Sequence, residues 1–251
     1  MKTKHKVAIV TGAGRNIGEA ISHRLADDGF AIAVVDLDQG RADHVVSDLT
    51  AKGIEAAAFV CDVSDPIQIE TTVNAVHGHF GRIDVLVNNV AISDNKHILE
   101  IDLALWQKTM DITLTAPFYF TKCVAHKMVA DGTGGNVVNV SSTTGYFGRG
   151  RAIAYAAAKG GVVNLTRAMA IQLADHNIRV NSVVPNKIGS PVGKDEFDPS
   201  RPIVNLRNRP GVPSDLANAV AFLVSDQSDF IVGADLFVDG GCSVIMPGGS
   251  G

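Results

Sequence analysis

The chain has 251 residues, 46% of them apolar and 19% charged, with a formal net charge of −4. That length and apolar content fit one α/β domain with a large core, 1–251, and the absence of a basic block argues against a nucleic-acid partner. Cys61, Cys123 and Cys242 form no C-x-x-C pair and no disulfide framework, which fits a reducing, cytoplasmic setting.

The first apolar run, Val7 to Val10, is too short for a signal-peptide core. No stretch has the length and apolar purity of a membrane-spanning helix, so no membrane partner is expected. Val7–Val10 reads instead as a strand buried on both faces. It runs into Thr11-Gly12-Ala13-Gly14-Arg15-Asn16-Ile17-Gly18, and a helical pattern follows from Glu19 to Gly29. A strand, a glycine-rich turn and a helix start can form an anion site, with backbone N–H groups and the helix dipole facing a phosphate. An ordinary glycine-rich loop has the same composition.

A second buried strand, Ala31 to Val35, ends in Asp36 and Leu37. In a dinucleotide-binding unit an acid there accepts hydrogen bonds from the adenosine ribose and repels a 2′-phosphate, which favours NAD over NADP. Arg15 could offset that repulsion, and Asp36 could equally cap the next helix.

The alternation continues. A helix is expected over Gln39–Lys52, a strand over Ala56–Val60 with Cys61-Asp62-Val63 after it, and a helix over Pro66–Phe80. His77 and His79 flank Gly78. At i,i+2 on a helix they point apart, so they read as surface residues and no metal site is expected. The strand Ile83–Val87 leads into Asn88-Asn89-Val90-Ala91. A long helix follows from Leu103 to Val129, where Pro117 should kink or break it. The strand Val137–Val140 ends at Ser141-Ser142, and a helix over Ala152–Asp175 carries Tyr155 and Lys159. The strand Ile178–Val184 is closed by Pro185. Residues 186–212 lack periodicity and read as a substrate loop, biased basic by Lys187, Lys194, Arg201, Arg207 and Arg209 against Asp195, Glu196 and Asp198. A carboxylate- or phosphate-bearing substrate and a solvated lid both fit that bias. Tyr146 and Phe147 are placed opposite this loop. A helix over Pro213–Val224, a strand over Ala234–Val238, Asp239-Gly240-Gly241 and a loose tail, 242–251, complete the chain.

Strands and helices alternate throughout. The expected fold is a three-layer, doubly wound, mostly parallel sheet of Rossmann type, with ligands beyond the C-terminal strand ends. On a helix, Tyr155 and Lys159 share a face. An ammonium beside a phenol favours the phenolate and suits the tyrosine to proton transfer, with Ser142 offering a hydroxyl to a polarised oxygen. Alone, that spacing also describes a packed tyrosine and a solvated lysine.

Taken together, Thr11-Gly12…Gly18, Asp36, Asp62-Val63, Asn88-Asn89, Ser142, Tyr155-x-x-x-Lys159, Arg179–Pro185 and Val238-Asp239-Gly240-Gly241 resemble the short-chain dehydrogenase/reductase family over essentially the whole chain. The resemblance implies a seven-stranded sheet, an NAD(P)-dependent interconversion of alcohol and ketone, and a homotetramer or homodimer. Carried onto this sequence, it makes Tyr155 the general acid/base, with Lys159 supporting it and binding the nicotinamide ribose. Ser142 orients the substrate oxygen. It places Gly12, Arg15, Asn16, Ile17 and Gly18 along the pyrophosphate, Asp36 and Leu37 at the adenosine ribose, and Asp62 and Val63 at the adenine. Asn88, Asn89 and Val90 contact the cofactor, as do Pro185, Ile188 and Ser190.

Four positions depart from the family pattern. Asn16 replaces a glycine, and asparagine tolerates positive φ. Val90-Ala91 replaces Ala-Gly. Thr113 stands where a relay asparagine is usual, and Asn186 replaces a glycine, with Ser190 in place of a threonine. The reading is an NAD-dependent oxidoreductase of secondary alcohols and ketones. An NADP-dependent 3-oxoacyl-thioester reductase and an NAD-binding scaffold without catalysis are the alternatives.

Overall fold

The computed structural model describes residues 3–192, 194, 200 and 202–245. Seven strands form one sheet: β1 (Val7–Thr11), β2 (Ala31–Asp36), β3 (Ala56–Val60), β4 (Val85–Asn88), β5 (Gly135–Val140), β6 (Ile178–Pro185) and β7 (Asp235–Val238). Their spatial order is β3-β2-β1-β4-β5-β6-β7, and every pairing is parallel. The order reverses between β1 and β4, which opens a crevice at their C-terminal ends.

The helices cover both faces. They are α1 (Asn16–Asp27), α2 (Gln39–Ala51), α3 (Pro66–Phe80), α4 (Leu103–Met110), α5 (Ala116–Asp131), α6 (Ile153–Leu173) and α7 (Pro213–Val224). Alternate residues of one strand feed two cores. Val7 and Ile9 pack with Phe80, Phe120 and Met128 on one face; Ala8 and Val10 pack with Ile21, Leu25 and Val220 on the other. Central strands buried on both sides read as unbroken apolar runs for this reason. Among the described residues no helix is long and apolar enough to cross a membrane.

Local capping sets most boundaries. Asp38, Asp65 and Asp102 each accept a backbone N–H in the first turn of α2, α3 and α4. The region expected as one helix broken at Pro117 is different. Between α4 and α5 lies a π-helical turn, Asp111–Thr115, and the backbone is right-handed helical on both sides of it, at Met110 and Ala116. Pro117 sits within the first turn of α5, where its missing N–H leaves few bonds unmade. Leu114 of the π turn presses on Gly161 of α6, where a Cβ would come 2.9 Å from Leu114 Cδ2.

The described ends of the 186–212 loop are pinned by the Ile188–Gly211 bridge and Gly189 N–H donating to Gly211 O at 3.0 Å. Asp195, Glu196, Asp198 and Arg201 lie outside the described residues, as do tail residues 246–251. The tail start, expected to be loose, forms a 3-10 turn over Cys242–Val244. The Asp239 carboxylate fixes it by accepting Gly241 N–H and Ser243 N–H, each at 2.8 Å. His77 pairs with Asp131 at 2.8 Å, and the His79 ring packs edge-on against Phe80.

Candidate active site

A cleft of about 1050 Å³ runs along the C-terminal sheet edge, from the end of β2 to the start of α6. One end is the glycine loop. Gly12 and Asn16 both adopt the left-handed region, at φ 62 and 53, so the asparagine fills a conformation that glycine usually supplies. The Asn16 side chain lies over Gly189, where a Cβ would meet Asn16 Oδ1 at 2.2 Å. The residue thus joins the glycine loop to the segment after β6. Gly18 allows the closest approach: a Cβ there would fall 2.0 Å from Gly12 O.

No side chain caps α1, in contrast to α2, α3 and α4. Its first-turn N–H groups face the cleft behind a floor of small residues, a cradle that fits a phosphate. Val90 adds bulk against Gly12, with Val90 Cγ2 3.0 Å from a Cβ built there. Asn89 supports the same floor, its Nδ2 donating to Thr11 O at 3.0 Å and Gly12 O at 3.2 Å.

Asp36 stands at the end of β2. Its carboxylate accepts Gly14 N–H at 2.9 Å and Asp38 N–H at 3.1 Å, so it orders the glycine loop and also faces the cleft. Two guanidinium groups flank it. Arg15 was expected; Arg41 of α2 was not. A Cβ on Gly14 would lie 2.7 Å from Arg41 Cβ and 2.9 Å from Asp36 Cγ. Burial and the Arg41 charge lower the Arg15 pKa, against the pull of Asp36. Leu37, Asp62 and Val63 line the same end.

The other end carries the reactive groups. Ser142, at the end of β5, opens a 3-10 turn (Thr143–Gly145) and accepts Thr144 N–H at 3.2 Å. Gly145 lets that turn sit on α6, where a Cβ would come within 2.7 Å of Lys159 O. Tyr155 and Lys159 are one turn apart on α6 and buried, with 5.8 Å from Lys159 Nζ to the phenol ring centroid. All three line the cleft.

Burial raises the Tyr155 phenol pKa, opposed by hydrogen bonding from Ser142 and by the charge of Arg149. Burial acts on Lys159 too. Its Nζ donates to Val140 O at 2.5 Å, and burial lowers its own pKa to about 7. Among the described residues no carboxylate pairs with this ammonium to offset its desolvation.

Two expected site residues do not reach the cleft. Asn88 turns inward, its Nδ2 donating to Asn139 Oδ1 at 2.9 Å and Thr121 Oγ1 at 3.2 Å. Asn139 continues that buried network to Thr166 Oγ1 at 2.9 Å, tying β4 and β5 to α5 and α6. Thr113, fully buried in the π turn, donates to Ile92 O at 3.3 Å and accepts Ile92 N–H at 3.2 Å. Its hydroxyl is committed to the strand end, not offered to a substrate or water. Pro185, Ile188 and Ser190 line the cleft as expected. Phe147 does too, whereas the Tyr146 ring packs on Phe237 with centroids 4.9 Å apart.

Asp94 carries no local sequence signal. It is buried in the loop after β4, and its Oδ1 accepts the Tyr155 N–H at 3.0 Å. α6 has no cap of its own: its N-cap position is Ala152, held at φ 66, and the Ala152 N–H donates to Lys96 O at 2.8 Å. The 94–96 segment thus supplies the missing cap and fixes where Tyr155 begins its turn. Asp94→Ala should cost about 1–2 kcal/mol in chemical denaturation and lower turnover, with Asp94→Asn closer to wild type because an amide oxygen still accepts the bond. The tail also contributes: Cys242 reaches the cleft, held by Asn186 Nδ2 at 2.9 Å from its Sγ.

Comparison with known proteins agrees with this architecture. Residues 12–243 match the family model described as enoyl-(acyl carrier protein) reductase. The chain is 38% identical to cis-4-hydroxycyclohexanecarboxylate dehydrogenase of Sinomonas cyclohexanicum, covering 96% of this chain and 97% of that one. It is 35% identical to cyclohexanol dehydrogenase of Acinetobacter sp. strain SE19, covering 95% of each. Against a 3-oxoacyl-[acyl-carrier-protein] reductase of Thermotoga maritima the identity is 32%, over 96% of this chain and 99% of the other. A solved structure, a putative short-chain dehydrogenase/reductase from Burkholderia xenovorans, superposes with a TM-score of 0.90 at 35% identity, covering 96% of this chain and 97% of that one. With a match spanning nearly its whole length and relatives of this kind, the chain belongs to the short-chain dehydrogenase/reductase family and is an oxidoreductase of alcohols and ketones.

Proposed function

We propose that the protein is an NAD-dependent dehydrogenase that interconverts a secondary alcohol and a ketone. The observation that carries this reading is the meeting of Ser142, Tyr155 and Lys159 on one wall of a cleft whose far end is an uncapped helix and an acid-tipped strand. A binding scaffold has no use for a buried phenol and a desolvated lysine side by side, so that alternative is disfavoured.

When bound, the nicotinamide supplies the acceptor for the hydride that leaves the carbinol carbon. The chain's own residues handle the rest. Tyr155 Oη takes the hydroxyl proton in oxidation and returns it in reduction. Ser142 Oγ holds the substrate oxygen beside that phenol. Lys159 holds the nicotinamide ribose and supplies positive charge near Tyr155. Burial keeps the phenol protonated at neutral pH, so ketone reduction should fall and alcohol oxidation should rise as pH increases toward the phenol's raised pKa.

The preference for NAD rests on Asp36, whose carboxylate is held at the cleft by two backbone N–H groups and would repel a 2′-phosphate. Arg15 and Arg41 beside it moderate that repulsion. The same feature disfavours the NADP-dependent 3-oxoacyl-thioester reductase. Titrating the protein with NADH and NADPH by fluorescence should give tighter binding of NADH, and Asp36→Ala should narrow the gap. Stronger binding of NADPH to the unmodified protein would overturn the cofactor assignment.

A further inference from the structure

The acids of the cleft are confined to one end, where Arg15 and Arg41 also stand. Among its described lining residues the acids are Asp36 and Asp62, both at the β2–β3 end. The end that carries Ser142 and Tyr155 holds Arg149, and Lys187 and Lys194 line the side closed by the segment after β6. In a chain of net charge −4, the charged side chains that line the reaction end among the described residues are all cationic. They would concentrate an anion there.

Arg149 stands apart within that set. Neighbouring Arg151 is turned away into an ion pair with Glu100 at 3.2 Å. Lys187 Nζ donates to Pro202 O at 3.0 Å. Arg149 has no carboxylate or carbonyl partner among the described residues, yet its charge is felt at the Tyr155 phenol. Gly148 and Gly150 flank it, and a Cβ on either would meet nothing within 4 Å, so the guanidinium rides on an uncrowded bend. Phe147, half-exposed in the same bend, adds an apolar surface beside it. A planar fork of donors next to an aromatic face suits a carboxylate carried on a hydrocarbon frame.

We infer that Arg149 is a specificity-determining residue that binds the carboxylate of the substrate, so that the preferred alcohols are hydroxy acids whose carbinol reaches Tyr155 while their carboxylate reaches Arg149. This rests on the alcohol–ketone reading above. It adds the substrate class and the residue that selects it.

The test uses two paired probes on the NAD-saturated protein and on Arg149→Gln. In the first arm, rates are compared for 4-hydroxycyclohexanecarboxylate and its methyl ester. In the second, calorimetry compares binding of cyclohexanecarboxylate and its methyl ester, neither of which can react. The acid should exceed the ester by about tenfold or more in kcat/KM, chiefly through KM, and the substitution should lower the acid about 10- to 100-fold more than the ester, as loss of a charged hydrogen bond predicts. Arg149→Lys should recover part of the difference. Equal losses for acid and ester, or no acid preference in the unmodified protein, would overturn the assignment of Arg149. If neither alcohol is oxidised while cyclohexanol is, the hydroxy-acid assignment falls and the alcohol–ketone reading stands; the calorimetric arm decides separately whether Arg149 binds a carboxylate.

Discussion

Replacing Tyr155 with phenylalanine should lower kcat for alcohol oxidation by about a hundred- to ten-thousand-fold while leaving cofactor binding nearly intact. The ring fills the same buried space on α6, so packing is retained and only the phenolic oxygen is lost. Ser142 then faces the substrate oxygen without a proton acceptor behind it. Stopped-flow measurement of the first turnover separates this chemical defect from slow product release. The same variant should also abolish the rise of oxidation rate with pH that the unmodified enzyme shows. Near-normal turnover would mean that the proton leaves by another route.

The second large effect concerns Lys159 and stability. Burial lowers its pKa to about 7 from an unfolded value near 10.5, so between these limits the unfolded chain binds more protons than the folded one. Stability of the cofactor-free protein therefore rises with pH across that window. Lys159→Met removes the titrating group. Comparing urea midpoints of the two proteins, the unmodified chain should gain about 2 kcal/mol on the variant from pH 7 to 9. Cys61, Cys123 and Tyr155, whose pKa values are raised by desolvation, act in the opposite sense, but they do so in both proteins and cancel in the comparison. The variant should be inactive, or nearly so, despite being no less stable at neutral pH. Parallel stability profiles would show that Lys159 is not the desolvated charge described above.

How much of this was legible in the sequence follows from how local each signal is. Helix α3 starts at Pro66 behind the capping Asp65 and stops at Gly81, which adopts φ 83, so three residues mark its two ends. Helix α7 opens on Pro213 in the same way. Buried strands β1 and β2 announce themselves as unbroken apolar runs. The glycine loop, Asp36, Ser142, Tyr155 and Lys159 lie at strand or helix termini, which is where a parallel sheet gathers its ligand contacts.

What stayed hidden depends on contacts distant in sequence. The π turn at Asp111–Thr115 packs Leu114 on Gly161, forty-seven positions away, and no local pattern encodes that. Thr113 and Asn88 were expected in the site from the family pattern, but their side chains point into the protein, one onto the Ile92 backbone and the other onto Asn139. Asp94, Arg41 and Arg149 were invisible for the converse reason. Their importance comes from the residues opposite them: the Tyr155 N–H, Asp36 beyond Gly14, and the phenol of Tyr155. The i,i+4 spacing of Tyr155 and Lys159 showed their proximity but not the desolvation of the ammonium, which depends on what α6 packs against.

Hydride transfer from the carbinol carbon to the cofactor is read with an isotopic label. The protein is incubated with NAD and cyclohexanol deuterated at the carbinol carbon, and the reduced nicotinamide is examined by mass spectrometry. The account predicts one deuterium per reduced cofactor, at the nicotinamide C4, with formation of the ketone. Binding of NAD with no deuterium transfer from any secondary alcohol, neutral or carboxylate-bearing, would contradict it.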